Sequence, residues 1–193
     1  NNPKIIDIGG GLGINTIILS KLFSLDCTVV DRFDEFADSL DRAVGNDKQA
    51  IERMESFGVK VIREDFINNG FLKETKDFDL VTCFSVIEHF NFSPKKLINS
   101  LALIANENGK LVLSTPNQVH LFNRIKALVG RNTWEDFDSF YSSDPFFGHI
   151  REFTKSEMKQ LIDYSESWRF VKIESDNYPI DEFADRLKFR NSR

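Results

Sequence analysis

Residues 5–13 read Ile5-Ile6-Asp7-Ile8-Gly9-Gly10-Gly11-Leu12-Gly13, and the amphipathic stretch Asn15 to Phe23 follows at once. An apolar run that enters a glycine turn and leaves it as a helix is the ligand-binding unit of an open α/β sheet. Glycines tolerate positive φ and let the backbone approach a ligand closely. The helix that starts there presents unpaired N–H groups and a partial positive charge to whatever lies above the turn. A small, partly anionic ligand is therefore expected.

Two ligands compete for such a turn: a dinucleotide, and a nucleoside carrying an amino-acid tail. The dinucleotide fingerprint places glycines at its first, third and sixth positions. Counting from Gly9 or Gly11, the sixth position holds Ile14 or Thr16, so the fingerprint is absent. The pattern is instead Asp-x-Gly-x-Gly-x-Gly, from Asp7 to Gly13. A carboxylate two residues before the first glycine repels a pyrophosphate and suits a ligand with positive charge. S-adenosylmethionine, with its ammonium and sulfonium, fits.

Working outward, apolar runs and helical patterns alternate. Cys27 to Val30 is a second strand ending in Asp31, and Val59 to Arg63 a third. Phe33, Phe36, Ala37, Leu40 and Ala43 share one helical face, which Ala50, Ile51 and Met54 resume after a break at Gly45-Asn46. Phe78 to Phe84 is a fourth strand. Ser93-Pro94 opens a helix that Leu97, Ile98, Leu101 and Ile104 carry to Gly109, and Leu111 to Ser114 is a fifth strand. Gln118 to Val129 reads as a helix, Thr154 with Glu157 as a capping box, and Trp168 to Glu174 as a sixth strand. Such alternation predicts a doubly wound, mostly parallel α/β sheet with helices on both faces. A single domain over 1–193 is expected, with a cofactor-binding half at 1–117 and a substrate-side segment at about 118–154. The first strand begins by residue 4 without an initiator Met, so a native leading segment is expected; no seventh strand is legible.

The chain has 193 residues, 41% hydrophobic and 28% charged, which suffices for one sizeable core. A net charge of −5 argues against a nucleic-acid binder. No run of about 18 apolar residues could span a membrane, and no secretory leader is visible. Cys27 and Cys83 read as small core residues rather than a disulfide or zinc framework. A reducing cytoplasm is the expected compartment.

At the carboxyl tips of the strands stand the residues that carry chemistry. Asp31 can accept both hydroxyls of a ribose; alone it would read as a solvated strand-end acid, and the glycine cluster changes that reading. Asp65 can accept from an adenine amino group while the Phe66 N–H donates to the ring, the alternative being a turn-forming Asp with a core Phe. Together, Asp7–Gly13, Asp31, Asp65-Phe66 and Phe78-Asp79-Leu80-Val81 leading to Ile87-Glu88-His89 resemble class I, seven-stranded S-adenosylmethionine-dependent methyltransferases. Leu113-Ser114-Thr115-Pro116-Asn117 and Gly148-His149-Ile150-Arg151-Glu152-Phe153-Thr154 resemble the small-molecule branch of that family, as in quinone biosynthesis and sugar tailoring. The resemblance covers roughly residues 4–175. It implies that Asp7 and the backbones of Gly9, Gly10, Gly11 and Gly13 hold the methionine end. Asp31, with Arg32 beside it, would hold the ribose, and Asp65 and Phe66 the adenine. Phe84 and Ser85 would flank the amine and the reacting methyl.

The activity this implies is methyl transfer from S-adenosylmethionine to a small-molecule acceptor at oxygen, quinone-like or sugar-like. The alternatives are a nucleotide-cofactor oxidoreductase on a similar sheet and a non-catalytic S-adenosylmethionine-binding module. Transfer to a hydroxyl needs a proton acceptor, and His89, His149 and Glu88 are the candidates; His120, between apolar neighbours, reads as structural. No metal-ligand spacing stands out. Residues 131–150 carry Trp134, Phe137, Phe140, Tyr141, Phe146 and Phe147, and are too long for a plain connection. A lid or substrate wall is expected, the alternatives being core cover and pairing in a homodimer.

Overall fold

The computed structural model describes residues 2–33, 47–66, 76–144, 146 and 148–175. Among the described residues five strands form one sheet: β1 (Lys4–Ile8), β2 (Asp26–Asp31), β3 (Lys60–Arg63), β4 (Phe78–Phe84) and β5 (Ala105–Ser114). Their order is β3-β2-β1-β4-β5 and every pairing is parallel. All carboxyl ends therefore share one edge, and the winding reverses between β1 and β4. That reversal opens a crevice beyond the carboxyl end of β1.

The helices are α1 (Ile14–Phe23), α2 (Asp47–Ser56), α3 (Lys95–Ile104), α4 (Leu121–Leu128), α5 (Phe137–Ser142) and α6 (Lys155–Asp163). The two-residue period of β1 divides the core. Ile6 and Ile8 join Leu97, Leu101 and Ile104 of α3 on one face, with Met158 and Leu161 of α6 against them. Ile5 turns to the other face with Val29 and Met54, where Ile17 of α1 and Ile51 of α2 pack. Of these, Ile5, Ile6, Ile8, Val29, Leu97, Leu101 and Ile104 are buried, and burying each such aliphatic side chain contributes about 1.5–3 kcal/mol relative to exposure.

Several elements differ from the expectation. The helix opened by Ser93-Pro94 stops at Ile104, and β5 begins at Ala105 rather than Leu111. The Ala105–Lys110 stretch pairs irregularly, with a register shift between Phe78 and Leu80. Helix α4 starts at Leu121, because Asn117 to His120 form a turn closed by the His120 N–H on the Asn117 carbonyl at 3.1 Å. Trp168 to Glu174 is not a strand. Its first residue is held from outside the sheet instead, Trp168 Nε1 donating to the Ile98 carbonyl at 2.9 Å. Phe33 is buried but sits in a left-handed turn (φ 50°), not on a helix. Phe36, Ala37, Leu40, Ala43, the Gly45-Asn46 break and Phe147 lie outside the described residues. In α1, Ile14, Ile18 and Leu22 are exposed, so the apolar residues of that helix do not all face the core. The capping box of α6 forms as expected, Thr154 accepting from the Glu157 N–H and Glu157 from the Thr154 N–H. Among the described residues no helix is long and apolar enough to cross a membrane.

Candidate active site

The glycine turn leaves β1 with Gly9, Gly11 and Gly13 all at positive φ. Two of these positions have no room for a side chain. A Cβ on Gly9 would lie 2.5 Å from Val86 Cγ2, and one on Gly13 would lie 2.1 Å from Met54 Sδ. Close packing of the turn on β4's exit and on α2 thus requires glycine there. Gly11 differs: a Cβ would meet nothing within 4 Å, so its backbone faces open space. That open backbone, at the N-terminus of α1, is the surface a ligand's polar end can approach.

Asp7 lies beneath this turn and not on its ligand face. It is 3% exposed, and its carboxylate accepts from Thr16 Oγ1 at 2.8 Å and Thr82 Oγ1 at 2.6 Å. Burial pushes its carboxyl above the usual range, and the two hydroxyls oppose that shift. Its side chain thereby pins α1 to β4 under the glycines. Thr16 and Thr82 escaped the sequence reading; the only signal was a hydroxyl among apolar neighbours.

At the tip of β2, Asp31 Oδ2 accepts from the Gly11 N–H at 2.8 Å and Oδ1 from the Phe33 N–H at 3.2 Å. Each carboxylate oxygen keeps a second lone pair for a hydroxyl. Arg32 lies 3.7 Å from Asp65 across the tips of β2 and β3. The Asp65 carboxyl is partly buried, while Phe66 is 4% exposed and belongs to the core. Arg63, another residue unremarked in the sequence, donates to the Arg32 and Phe33 carbonyls at 3.1 and 2.9 Å and so fixes the exit of β2. Phe84 is half-buried at the end of β4. Ser85 is exposed at φ 55°, its N–H on the Ser114 carbonyl at 3.1 Å.

Val86, the residue that closes on Gly9, leads into a 3-10 turn at Ile87–His89. Glu88 in that turn is fully buried, and neither carboxylate oxygen makes a hydrogen bond among the described residues. Desolvation raises its pKa, and the charges of the nearby His89 and His149 imidazoles pull the other way. The Glu88 carbonyl accepts from the Ile150 and Arg151 N–H groups at 2.7 and 3.1 Å, which docks the His149 segment onto the turn. The His89 and His149 rings meet edge to face at 5.1 Å. His149 Nδ1 lies 3.1 Å from Glu152 Oε1 and 3.7 Å from Glu135 Oε1. The Glu152 contact, more than the surrounding charges, raises the His149 pKa against its burial. His89 Nδ1 lies 3.3 Å from the Gly148 carbonyl. His149, distant in sequence, thus joins the adjacent pair Glu88 and His89 on the turn that follows Val86. His120 stands apart, beside the Phe122 ring, its pKa lowered chiefly by burial.

The aromatic segment is not core cover: Trp134, Phe137, Phe140 and Tyr141 are all exposed. Phe140 meets Phe146 edge to face at 5.1 Å.

A family model described as a methyltransferase domain matches residues 1–164, and the chain belongs to that family. The ubiquinone biosynthesis O-methyltransferase of Glaesserella parasuis serovar 5 (strain SH0165) is 30% identical over 115 residues. That match covers 60% of this chain and 46% of the relative, so the chain spans about half the length of that curated protein. The solved phosphoethanolamine N-methyltransferase 2 of Haemonchus contortus, in complex with S-adenosyl-L-methionine, superposes with a TM-score of 0.54 at 15% identity. It covers 99% of this chain and 38% of that one. PH0226 protein from Pyrococcus horikoshii OT3 superposes with a TM-score of 0.55 at 20% identity, over 92% of this chain and 80% of that one. These structures share the fold.

Proposed function

We propose that this protein transfers a methyl group from S-adenosylmethionine to a hydroxyl of a small-molecule acceptor. The observation that supports the reading is a chain of contacts: the open glycine turn is tied to Asp31 through the Gly11 N–H, and Val86, packed on Gly9, leads into the Glu88–His89 turn on which the His149 segment docks. The family supports methyl transfer, and the O-methyltransferase relative supports oxygen as the acceptor atom. Within the same proposal, residues 1–117 serve the cofactor and about 118–154 the acceptor. A dinucleotide oxidoreductase would need the sixth-position glycine that Ile14 or Thr16 replaces.

The turn from Gly9 to Gly13 seats the carboxylate end of the methionine over the start of α1, whose dipole attracts it. Asp31 accepts the ribose hydroxyls, and Asp65 with the Phe66 N–H meets the adenine. Phe84 and Ser85 border the reacting methyl. When bound, the sulfonium supplies an electrophilic methyl that an acceptor oxygen displaces in line, C–O forming as C–S breaks and the thioether leaves. The chain aligns the two and keeps water out. The acceptor's hydroxyl is activated, and its proton drawn off, on the Glu88–His89–His149 side of the site, where Glu152 holds the His149 ring.

The test is incubation with S-adenosylmethionine and a panel of hydroxylated aromatics and sugars, read as S-adenosylhomocysteine and O-methyl product by mass spectrometry. Product on a hydroxyl acceptor is expected. Calorimetry showing binding of neither S-adenosylmethionine nor its demethylated product would overturn the reading, as would transfer to amines alone.

A further inference from the structure

We infer that Glu88, His89 and His149 form a binding site for one first-row divalent cation, with the ion facing the acceptor. The inference rests on the methyl-transfer reading above and assigns that site its activating group.

Three observations carry it. One ligand atom from each of the three side chains lies within 4.8 Å of the others, although His149 is far from the Glu88-His89 pair in the chain. Ions hold imidazole nitrogen and carboxylate oxygen at about 2.0–2.2 Å, so donors around one ion stand up to about 4 Å apart. Small side-chain rotations therefore close this set. Next, Glu88 is completely buried, yet neither of its carboxylate oxygens makes a hydrogen bond among the described residues. A buried carboxylate in that position is costly unless a charge compensates it. A cation within reach of both neighbouring imidazoles supplies that charge. Lastly, both rings are held at Nδ1 by an oxygen: His149 by Glu152 at 3.1 Å, His89 by the Gly148 carbonyl at 3.3 Å. A carboxylate or carbonyl on one imidazole nitrogen is how ligating histidines are oriented in metal sites.

Two nitrogens and one oxygen suit zinc, iron(II), cobalt(II) or manganese(II) better than calcium or magnesium, which prefer oxygen sets. Three protein ligands leave positions open, as at catalytic rather than structural sites. The chemical class that fits an open position is an acceptor whose hydroxyl can bind the ion directly, above all a pair of adjacent hydroxyls. Such a hydroxyl becomes more acidic on the ion and gives its proton to water. Its oxygen then attacks the methyl as the C–S bond breaks. Glu152 acts here as a positioning residue.

The experiment uses the chelator-treated chain and the metals alone. Cobalt(II) absorption spectra and zinc(II) calorimetry are recorded, with S-adenosylhomocysteine binding measured on the same samples. One equivalent of ion is expected, with visible cobalt bands of low coordination number. His149→Ala and Glu88→Gln should abolish stoichiometric binding while S-adenosylhomocysteine affinity is retained, which also shows that the variants fold. Glu152→Ala should weaken zinc by about 10–100-fold. Absence of cobalt bands in the unaltered chain overturns the inference, and so does ion binding that survives both substitutions. If the chain binds no S-adenosylhomocysteine, the methyl-transfer reading fails instead, so the two failures are distinguishable.

Discussion

Thr82 stands between Val81 and Cys83 in β4, and its hydroxyl donates to Asp7 Oδ1 at 2.6 Å while Thr16 serves Oδ2. Replacing it by Val keeps the shape and removes the donor. A buried acceptor left without its partner destabilises by about 1–3 kcal/mol. Thr82→Val should therefore lower the unfolding free energy by that amount in urea titrations, and Thr82→Ser should restore most of it. A neutral Thr82→Val would mean that Asp7 finds a replacement donor. Asp31 makes the second residue-scale test. It anchors Gly11 and Phe33 and still offers lone pairs to two hydroxyls. Hydrogen bonds to a charged group are worth about 1.5–3 kcal/mol, so Asp31→Ala should weaken S-adenosylhomocysteine binding about ten- to hundredfold. A dissociation constant unchanged in calorimetry would reduce Asp31 to a loop anchor.

At the scale of the element, α6 is the helix whose start was fully legible. Thr154 and Glu157 satisfy each other's backbone N–H groups, and Arg151 Nη2 adds a contact to Glu157 at 2.7 Å. Thr154→Ala should destabilise by about 1 kcal/mol (roughly 0.5–2). The backbone hydrogen bond of the box, with further help from Arg151, holds the Glu157 carboxyl below its ordinary value of 4.5. A depressed folded-state pKa gives stabilisation that is complete above the unfolded value and disappears as the pH falls through the folded one. The difference in Tm between the unaltered chain and Glu157→Gln should accordingly be present at pH 7 and shrink as the pH falls below the unfolded value of about 4.3. A difference independent of pH would assign the effect to packing rather than to the carboxylate. Helix α5 is short: the Asp136 side chain accepts from the Ser139 N–H at its start, and Ser143 Oγ donates to the Ser139 carbonyl at its end.

Taken as a whole, the molecule keeps its core on the two sheet faces and its aromatic segment outside both. Phe137 and Tyr141 stack at 6.0 Å and are exposed. If the segment walls the acceptor, Phe137→Ser with Tyr141→Ser should raise the acceptor KM severalfold and leave stability within about 0.5 kcal/mol. A large loss of stability, accompanied by a change in sedimentation from dimer to monomer, would instead make these rings a subunit interface. The buried thiols offer a check on the core itself. Burial pushes the Cys27 thiol up to about 11 and Cys83 higher still, and neither forms a disulfide. Both should resist thiol reagents at pH 7 until the chain unfolds; rapid labelling of the native protein would show that the sheet opens.

The parallel sheet and the ligand-facing turn were legible because both are local in the chain. Near-continuous apolar runs fix strands buried on two faces, and the glycines at 9 and 13 mark a backbone packed too closely on Val86 and Met54 to carry a side chain. The Thr154 capping box was readable for the same reason, since its partners are three residues apart. The expected strand at Trp168 to Glu174 failed because a strand needs a partner, and the sequence does not name one. Asp7 illustrates the same limit: its position was evident, but its direction followed from the pleat of β1 and from hydroxyls on α1 and β4. Glu88, His89 and His149 were each visible as single candidates with no metal spacing between them. Only folding brought them together, because the Ile150 and Arg151 N–H groups dock on the Glu88 carbonyl and so close a long stretch of chain onto one turn.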